Sequence, residues 1–419
     1  MAENTVEFPR TQEGNDPNDI RNDDDACERL KADVNAAVIE ASGFPAVAQI
    51  DVTELVPPRQ IIWGPYIRGF LTGTAATGGS GKTSLIDVEV VSLAIGKDLL
   101  NSRKPLRAGA KSVLMFSLED DRDEFHRRHR AVIRHYRLSD EEMALYRENV
   151  RVVFDSDGLI NIASEDKGVT TLDAKCESYL LSVIQTSGAD IVTIDPLISI
   201  HSVDENRNPS MQVVVRSLRK IARIAAVAIH YSHHNRKGGG DNVDDMRGAV
   251  ALRDGSRYLR MLSRMTEEEA KSLGVEIDHA PFMVGTFSGK ANFEPKASQK
   301  KWFRFIGHDL ENGDDLYETD KIGVITQFIP KPLMHGITNE QQDDALALLK
   351  TAPLEDRREN AQAKQWIGNL VFEPLGITDD KDGRAKVGRI ISKWKYEGLL
   401  EQEKLKNDSG RKQPYLTVK

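Results

Sequence analysis

The chain has 419 residues, 39% of them apolar and 29% charged, with a formal net charge of −8 and two cysteines. That length suggests two or three domains with ordinary hydrophobic cores. No run of about 18 apolar residues exists to span a membrane, the acidic N-terminus lacks the form of a secretory signal, and Cys27 and Cys176 make neither a disulfide framework nor a metal pattern, so a cytoplasmic location is expected.

Charge is segregated along the chain. Residues 1–56 carry 13 acidic and 4 basic side chains, whereas residues 384–419 carry 10 basic and 4 acidic. Residues 1–32 have no apolar period and are expected to form a disordered acidic tail. Residues 33–57 read as an arm or linker, with a short helix that leans on the main domain or a neighbour, up to Pro57-Pro58. From residue 58 to about 330, apolar strands alternate with helical stretches, the pattern of an α/β domain with a largely parallel sheet. Strands are expected at 112–117, 152–154, 191–194 and 226–230. Each runs into polar residues, which places chemistry at the carboxyl edge of the sheet.

The densest signal comes early in that domain. Gly78-Gly79-Ser80-Gly81-Lys82-Thr83-Ser84 lies between an apolar run and a helical segment, and matches the core of the phosphate-binding pattern G-x-x-x-x-G-K-[ST]. Small residues let backbone N–H groups turn towards phosphate oxygens at a helix N-terminus. In such a loop Lys82 reaches the β- and γ-phosphates and the Thr83 hydroxyl sits on Mg²⁺. Ala76 stands where the pattern usually has its first glycine, a position that requires smallness.

Three strand ends supply the remaining chemistry. The run 112–118 delivers Glu119, a carboxylate placed to polarise an attacking water, with Asp120 and Asp121 also in reach. The run 189–194 ends on Asp195, the position of a carboxylate in the Mg²⁺ shell. The next strand ends in His233-His234-Asn235-Arg236-Lys237, where His234 is suited to contact a γ-phosphate; His230 and His233 read better as packed or solvated. Residues 238–248 form a glycine-rich loop. Arg253 and Arg257 follow on a helix or strand, and an arginine presented across a subunit boundary stabilises charge on a transferring phosphoryl group.

Beyond residue 330 the texture changes. Helices are expected at 339–350, 361–372 and 385–396, then a hairpin; three helices and a hairpin make a winged-helix domain over 336–419. The third helix puts Lys386, Arg389 and Lys393 at i, i+3 and i+7 on one basic face, suited to a duplex groove. Arg411 and Lys412 flank the wing, where phosphate contacts belong.

Taken together, Ala-Thr-Gly-Gly-Ser-Gly-Lys-Thr, Phe-Ser-Leu-Glu-Asp, Ile-Asp-Pro-Leu, His-His-Asn-Arg-Lys and Arg-Gly-Ala-Val-Ala-Leu-Arg-Asp-Gly-Ser-Arg resemble the RepA-type hexameric helicases of plasmids and phages over roughly residues 63–304. The resemblance implies a RecA-like P-loop ATPase core using ATP and Mg²⁺, and a homo-hexameric ring with nucleotide between neighbours. Single-stranded DNA would pass through the ring, and duplex would be met through the winged helix. By this resemblance Lys82, Thr83, Glu119, Asp195 and His234 form the hydrolytic site. Arg257 is then the finger given in trans, at the place of the family's Asp-Asn-x-Arg, with Gly255-Ser256 before it. Related DnaB-type helicases carry a Lys-x-Arg pair on a late strand; here Lys290 is followed by Ala291-Asn292, so Lys290 and Arg253 are the remaining trans cations. The alternative function is an ATP-switched DNA-binding regulator or loader that does not unwind DNA.

Overall fold

The structure, a computed structural model, describes residues 33–34, 51–155, 157–235, 249–293, 300–330, 333–406 and 412–419. The acidic tail, most of the expected arm, the loop at 238–248 and Arg411 lie outside the described residues. The chain forms two compact units, Met1–Pro58 and Arg59–Lys419. In the first unit, the Asp51 carboxylate accepts from the Thr53 backbone and hydroxyl at 2.8 and 2.6 Å.

The second unit is built on one sheet. Its strands are β1 (Leu71–Ala76), β2 (Val113–Ser117), β3 (Val150–Phe154), β4 (Ile191–Asp195), β5 (Ala228–His234), β6 (Tyr258–Arg264), β7 (Met283–Ala291), β8 (Lys301–Asp309) and β9 (Lys321–Phe328). Among the described residues the sheet has nine strands, in the spatial order β9-β8-β7-β6-β1-β5-β4-β2-β3. The run from β6 to β3 is parallel, and β7, β8 and β9 extend it antiparallel beyond β6.

Helices cover both faces, which is why β1, β2 and β4 are buried along their whole length and read as near-continuous apolar runs. On one face lie α1 (Lys82–Ile95), α2 (Arg122–Tyr136) and α3 (Asp140–Asn149). On the other lie α4 (Ala174–Ser187), α5 (Asn208–Ile224) and α6 (Ala249–Gly255). The α5 helix buries Met211, Val214, Val215, Leu218, Ile221 and Ala222, a helical stripe against the sheet. Gly255 closes α6 onto it, since a Cβ there would stand 2.0 Å from Val215 Cγ1. The arrangement is a mixed α/β sheet that fits a RecA-like P-loop core.

The fourth expected strand, 226–230, is shifted. Ala226 adopts φ 53° to close the end of α5, so pairing begins at Ala228 and runs on through His234. Polar residues stay in this buried strand because they have partners. The His230 ring lies between Thr72 Oγ1 and Thr74 Oγ1, each at 2.9 Å, and burial holds its pKa well below the usual value.

At the C-terminal end, α7 (Glu267–Leu273) precedes the antiparallel strands, and α8 (Asn339–Thr351) and α9 (Lys381–Tyr396) are followed by the hairpin β10 (Leu400–Lys406) and β11 (Lys412–Val418). Leu349, Trp366, Ile367, Val387, Ile390, Trp394 and Leu416 form their common core. The helix expected at 361–372 is replaced by turns and a single 3-10 turn, Ile367–Leu370. Arg358 accounts for this. Its N–H donates to the Gln365 carbonyl at 3.1 Å and its carbonyl accepts from Ile367 at 2.9 Å, so the backbone is drawn into a bridge instead of a helix.

Candidate nucleotide site

The topology brings the ends of β1, β5, β4 and β2 side by side at the carboxyl edge of the sheet, where open α/β folds bind ligands. The loop after β1 is shaped as a phosphate cradle. Gly79 and Gly81 take positive φ, 69° and 88°, and Gly81 starts α1 without a side-chain cap, leaving the first-turn N–H groups for an anion. Gly81 is doubly required, because a Cβ there would lie 2.3 Å from the Phe305 ring. Thr77 Oγ1 and Ser80 Oγ, 2.7 Å apart, brace the loop.

Lys82 is 5% exposed. Its ammonium donates to the Ala76 and Thr77 carbonyls at 3.3 Å each and lies 3.2 Å from His234 Nδ1. Burial lowers its pKa, against the fields of Asp195 and Glu119, so a ligand with negative charge would restore what desolvation removes. Asp195 is buried, which raises its pKa; hydrogen bonds from Ser232 and Thr83 oppose that. The Thr83–Asp195 pair and the open helix start fit a Mg²⁺–nucleotide, with these two residues as the protein's part of the metal shell.

The structure separates the three acids after β2. Asp120 forms an ion pair with Arg128, 2.8 Å from its Nε, and Asp121 caps α2 by accepting from Glu124 N at 2.8 Å. Glu119 is exposed at the mouth of the cleft, and no hydrogen bond or ion pair holds it among the described residues. Gly79, Gly81, Lys82, Thr83, Ser84, Glu119, Asp195 and His234 line one cleft of about 550 Å³, within the size range of small-molecule sites. Gly78 lies on the adjoining hollow with His233 and His234.

Three residues of this cleft escape the sequence reading. Arg264, at the end of β6, donates to the Gly79 carbonyl at 2.5 Å and to the Pro281 carbonyl at 2.7 Å. Phe305 from β8 and Phe282 supply apolar wall. Their signal is non-local, since it depends on antiparallel strands folding back over the loop.

Arg257 is not in this cleft. It precedes β6 at the opposite, amino edge of the sheet, with its N–H on the Leu71 carbonyl at 2.9 Å and its guanidinium 5.5 Å above the Phe70 ring. Seven residues of extended chain, about 23 Å, separate it from Arg264. Lys290 joins it there, donating to the Arg253 and Asp254 carbonyls at 2.7 and 3.2 Å. Burial lowers the Lys290 pKa against Asp254, and Arg257, Arg253 and Arg219 lower it further. Arg253, Arg257 and Lys290 thus form one basic cluster remote from their own nucleotide cleft.

The expected basic face of α9 is divided. Lys386 and Arg389 line a separate cleft shared with α7 and β8, whereas Lys393 pairs with Glu397 and Lys412 is exposed at the start of β11.

Residues 40–240 match the family model of an AAA domain, which supports an ATPase over that stretch. Among solved structures, the chain is similar to the ATPase domain of a helicase, at 16% identity and a TM-score of 0.38, over 57% of this chain and 81% of that one. No helix among the described residues is long and apolar enough to cross a membrane.

Proposed function

We propose that this protein is an ATP-driven DNA translocase and helicase of RepA-like type, working in the cytoplasm as a ring of copies in the replication of a mobile element. The observation that carries the reading is the separation of its charges. Each copy has a phosphate cradle with carboxylates at one edge of the sheet and an arginine–lysine cluster at the other, too far away to serve its own cradle. A second copy, presenting its amino edge to that cradle, completes the site; a closed ring, six copies by the family resemblance, satisfies every copy at once.

Lys82 and the backbone of Gly78–Ser84 hold the phosphates, and Glu119 orients a water for in-line attack on the γ-phosphate. Arg257 of the neighbouring copy meets the charge that develops, a contact of the kind that accelerates phosphoryl transfer most. Mg²⁺, held by Thr83 and Asp195, supplies charge neutralisation between the β- and γ-oxygens. His234, beside Lys82, reports loss of the γ-phosphate to the loop at 238–248, which grips single-stranded DNA. Phe305 and Phe282 take the apolar part of the nucleotide, and the elements from α8 to β11 act as a winged helix.

The test is ATP hydrolysis with and without single-stranded DNA, in the native chain and in Glu119→Gln. Strong stimulation by DNA that the variant abolishes supports the motor. Nucleotide binding with no turnover, or turnover indifferent to DNA, replaces it with the ATP-switched regulator.

A further inference from the structure

The largest cleft described in the molecule, about 980 Å³, lies between the C-terminal elements and the antiparallel edge of the sheet. We infer that it is a composite binding site for the phosphodiester backbone of a single nucleic-acid strand, with Lys386 and Arg389 as its phosphate contacts. This rests on the DNA-dependent reading above and adds a place of contact distinct from the loop at 238–248.

Charge balance carries the inference. Lys300, Lys386 and Arg389 line the cleft, while its one lining acid among the described residues, Glu269, already pairs with Lys300 at 2.8 Å. Lys386 reaches only the His335 carbonyl, at 3.2 Å, and Arg389 bonds back to the Ala385 carbonyl of its own helix, also at 3.2 Å. Among the described residues neither has a carboxylate within ion-pairing distance. Arg389 is half-buried against Gly274, where a Cβ would stand 2.6 Å from its guanidinium, and burial lowers its pKa against the pull of Asp382. Two cations held partly out of water without an anion favour binding one.

The rest of the cleft fits a strand better than a duplex. Trp302 and Phe328 contribute aromatic surface to its wall, and a cationic groove with aromatic side chains is the usual means of holding single strands. Because Lys386 and Arg389 face the sheet, a duplex groove would have to approach them through the ATPase part of the unit. Trp302 is also three residues from Phe305 on β8, so one strand of the sheet lines both this cleft and the nucleotide cleft.

The test uses the full chain and a labelled oligo(dT), with a duplex of equal length alongside, read by fluorescence anisotropy over a range of salt. Lys386→Gln with Arg389→Gln should weaken single-strand binding about tenfold and reduce the slope of log K against log salt by roughly 1.4. Lys393→Gln with Lys412→Gln, on surface outside the cleft, should leave it unchanged. Lys386→Gln alone removes no packing and should give about half the loss in slope, which guards against a misfolded double variant. If the native chain binds the strand and the cleft variants bind it equally well, the cleft is overturned while the DNA reading stands. If the native chain binds no DNA, both fall.

Discussion

The two edges of the central sheet are electrostatic opposites. At the carboxyl edge, Glu119, Asp120 and Asp195 surround Lys82 beside an open helix start. At the amino edge, Arg253, Arg257 and Lys290 gather with Asp254 as the nearby acid, and they lean on carbonyls and on the Phe70 ring. The first arrangement is suited to a nucleotide whose transferring phosphoryl group still needs a cation. The second is a set of cations that needs an anion. A single β6 strand joins the two, so neither edge answers the other within one copy. What the difference teaches is that the site is legible as complete only between copies.

Replacing Arg257 with Ala is the strongest way to break that comparison. Turnover should fall about 10³-fold, the scale of a lost arginine finger, while nucleotide still binds. Mixing Arg257→Ala with Lys82→Ala chains should restore part of the phosphate release, because a mixed interface can combine an intact cradle with an intact arginine. An Arg257→Ala chain that hydrolyses ATP at the native rate removes the trans role. Glu119→Gln comes next. It should cost about 10²–10³-fold in kcat, the range of a lost general base or water-orienting group, with nucleotide affinity retained. Asp120→Asn should cost less, since that carboxylate is held by Arg128.

How much of this the sequence carries follows from how local each feature is. The loop at Gly78–Ser84 is contiguous, and its glycines are where positive φ and close approach demand them. Asp195 and Glu119 are visible as acids after apolar runs, but only the structure separates Glu119 from Asp120 and Asp121, because their partners Arg128 and Glu124 lie on the following helix. His234 reads as the end of a strand that starts at 226, whereas the strand starts two residues later and its register against β1 carries it through His234. The segment 361–372 has helical apolar spacing, yet Arg358 competes for its backbone. Arg264 and Phe305 reach the nucleotide cleft only through the antiparallel strands. The basic stripe on α9 is periodic in the sequence; which way it faces depends on packing against α7.

The link between the edges can be tested through stability. Arg260, in the middle of β6, pairs with both carboxylate oxygens of Glu89 on α1 at 2.5 and 2.9 Å, and Tyr66 donates to the same carboxylate at 2.9 Å. All three are buried; burial lowers the Arg260 pKa, but Glu89 raises it by more, and the net rise keeps the pair ionised. Removing one partner leaves an uncompensated buried charge, so Arg260→Met should lower the unfolding free energy by about 3 kcal/mol in urea titration. Replacing both, Glu89→Leu with Arg260→Met, should recover much of that loss. A single variant as stable as the native chain would mean that the pair does not fasten α1 to β6.

Arg264 sharpens the comparison with the smallest effect. It sits on the same strand as Arg260 but at the nucleotide edge, where it braces the Gly79 carbonyl against that of Pro281. The energy at stake is that of preorganising one loop, so Arg264→Ala should weaken nucleotide binding about tenfold, near 1.4 kcal/mol, and appear in KM more than in kcat. The contrast with Arg257 lies in complementation. An arginine that acts within its own copy cannot be supplied by a neighbour, so adding Lys82→Ala chains should not rescue Arg264→Ala at low ATP. Rescue there would move Arg264 into the interface and dissolve the division of labour between the two edges.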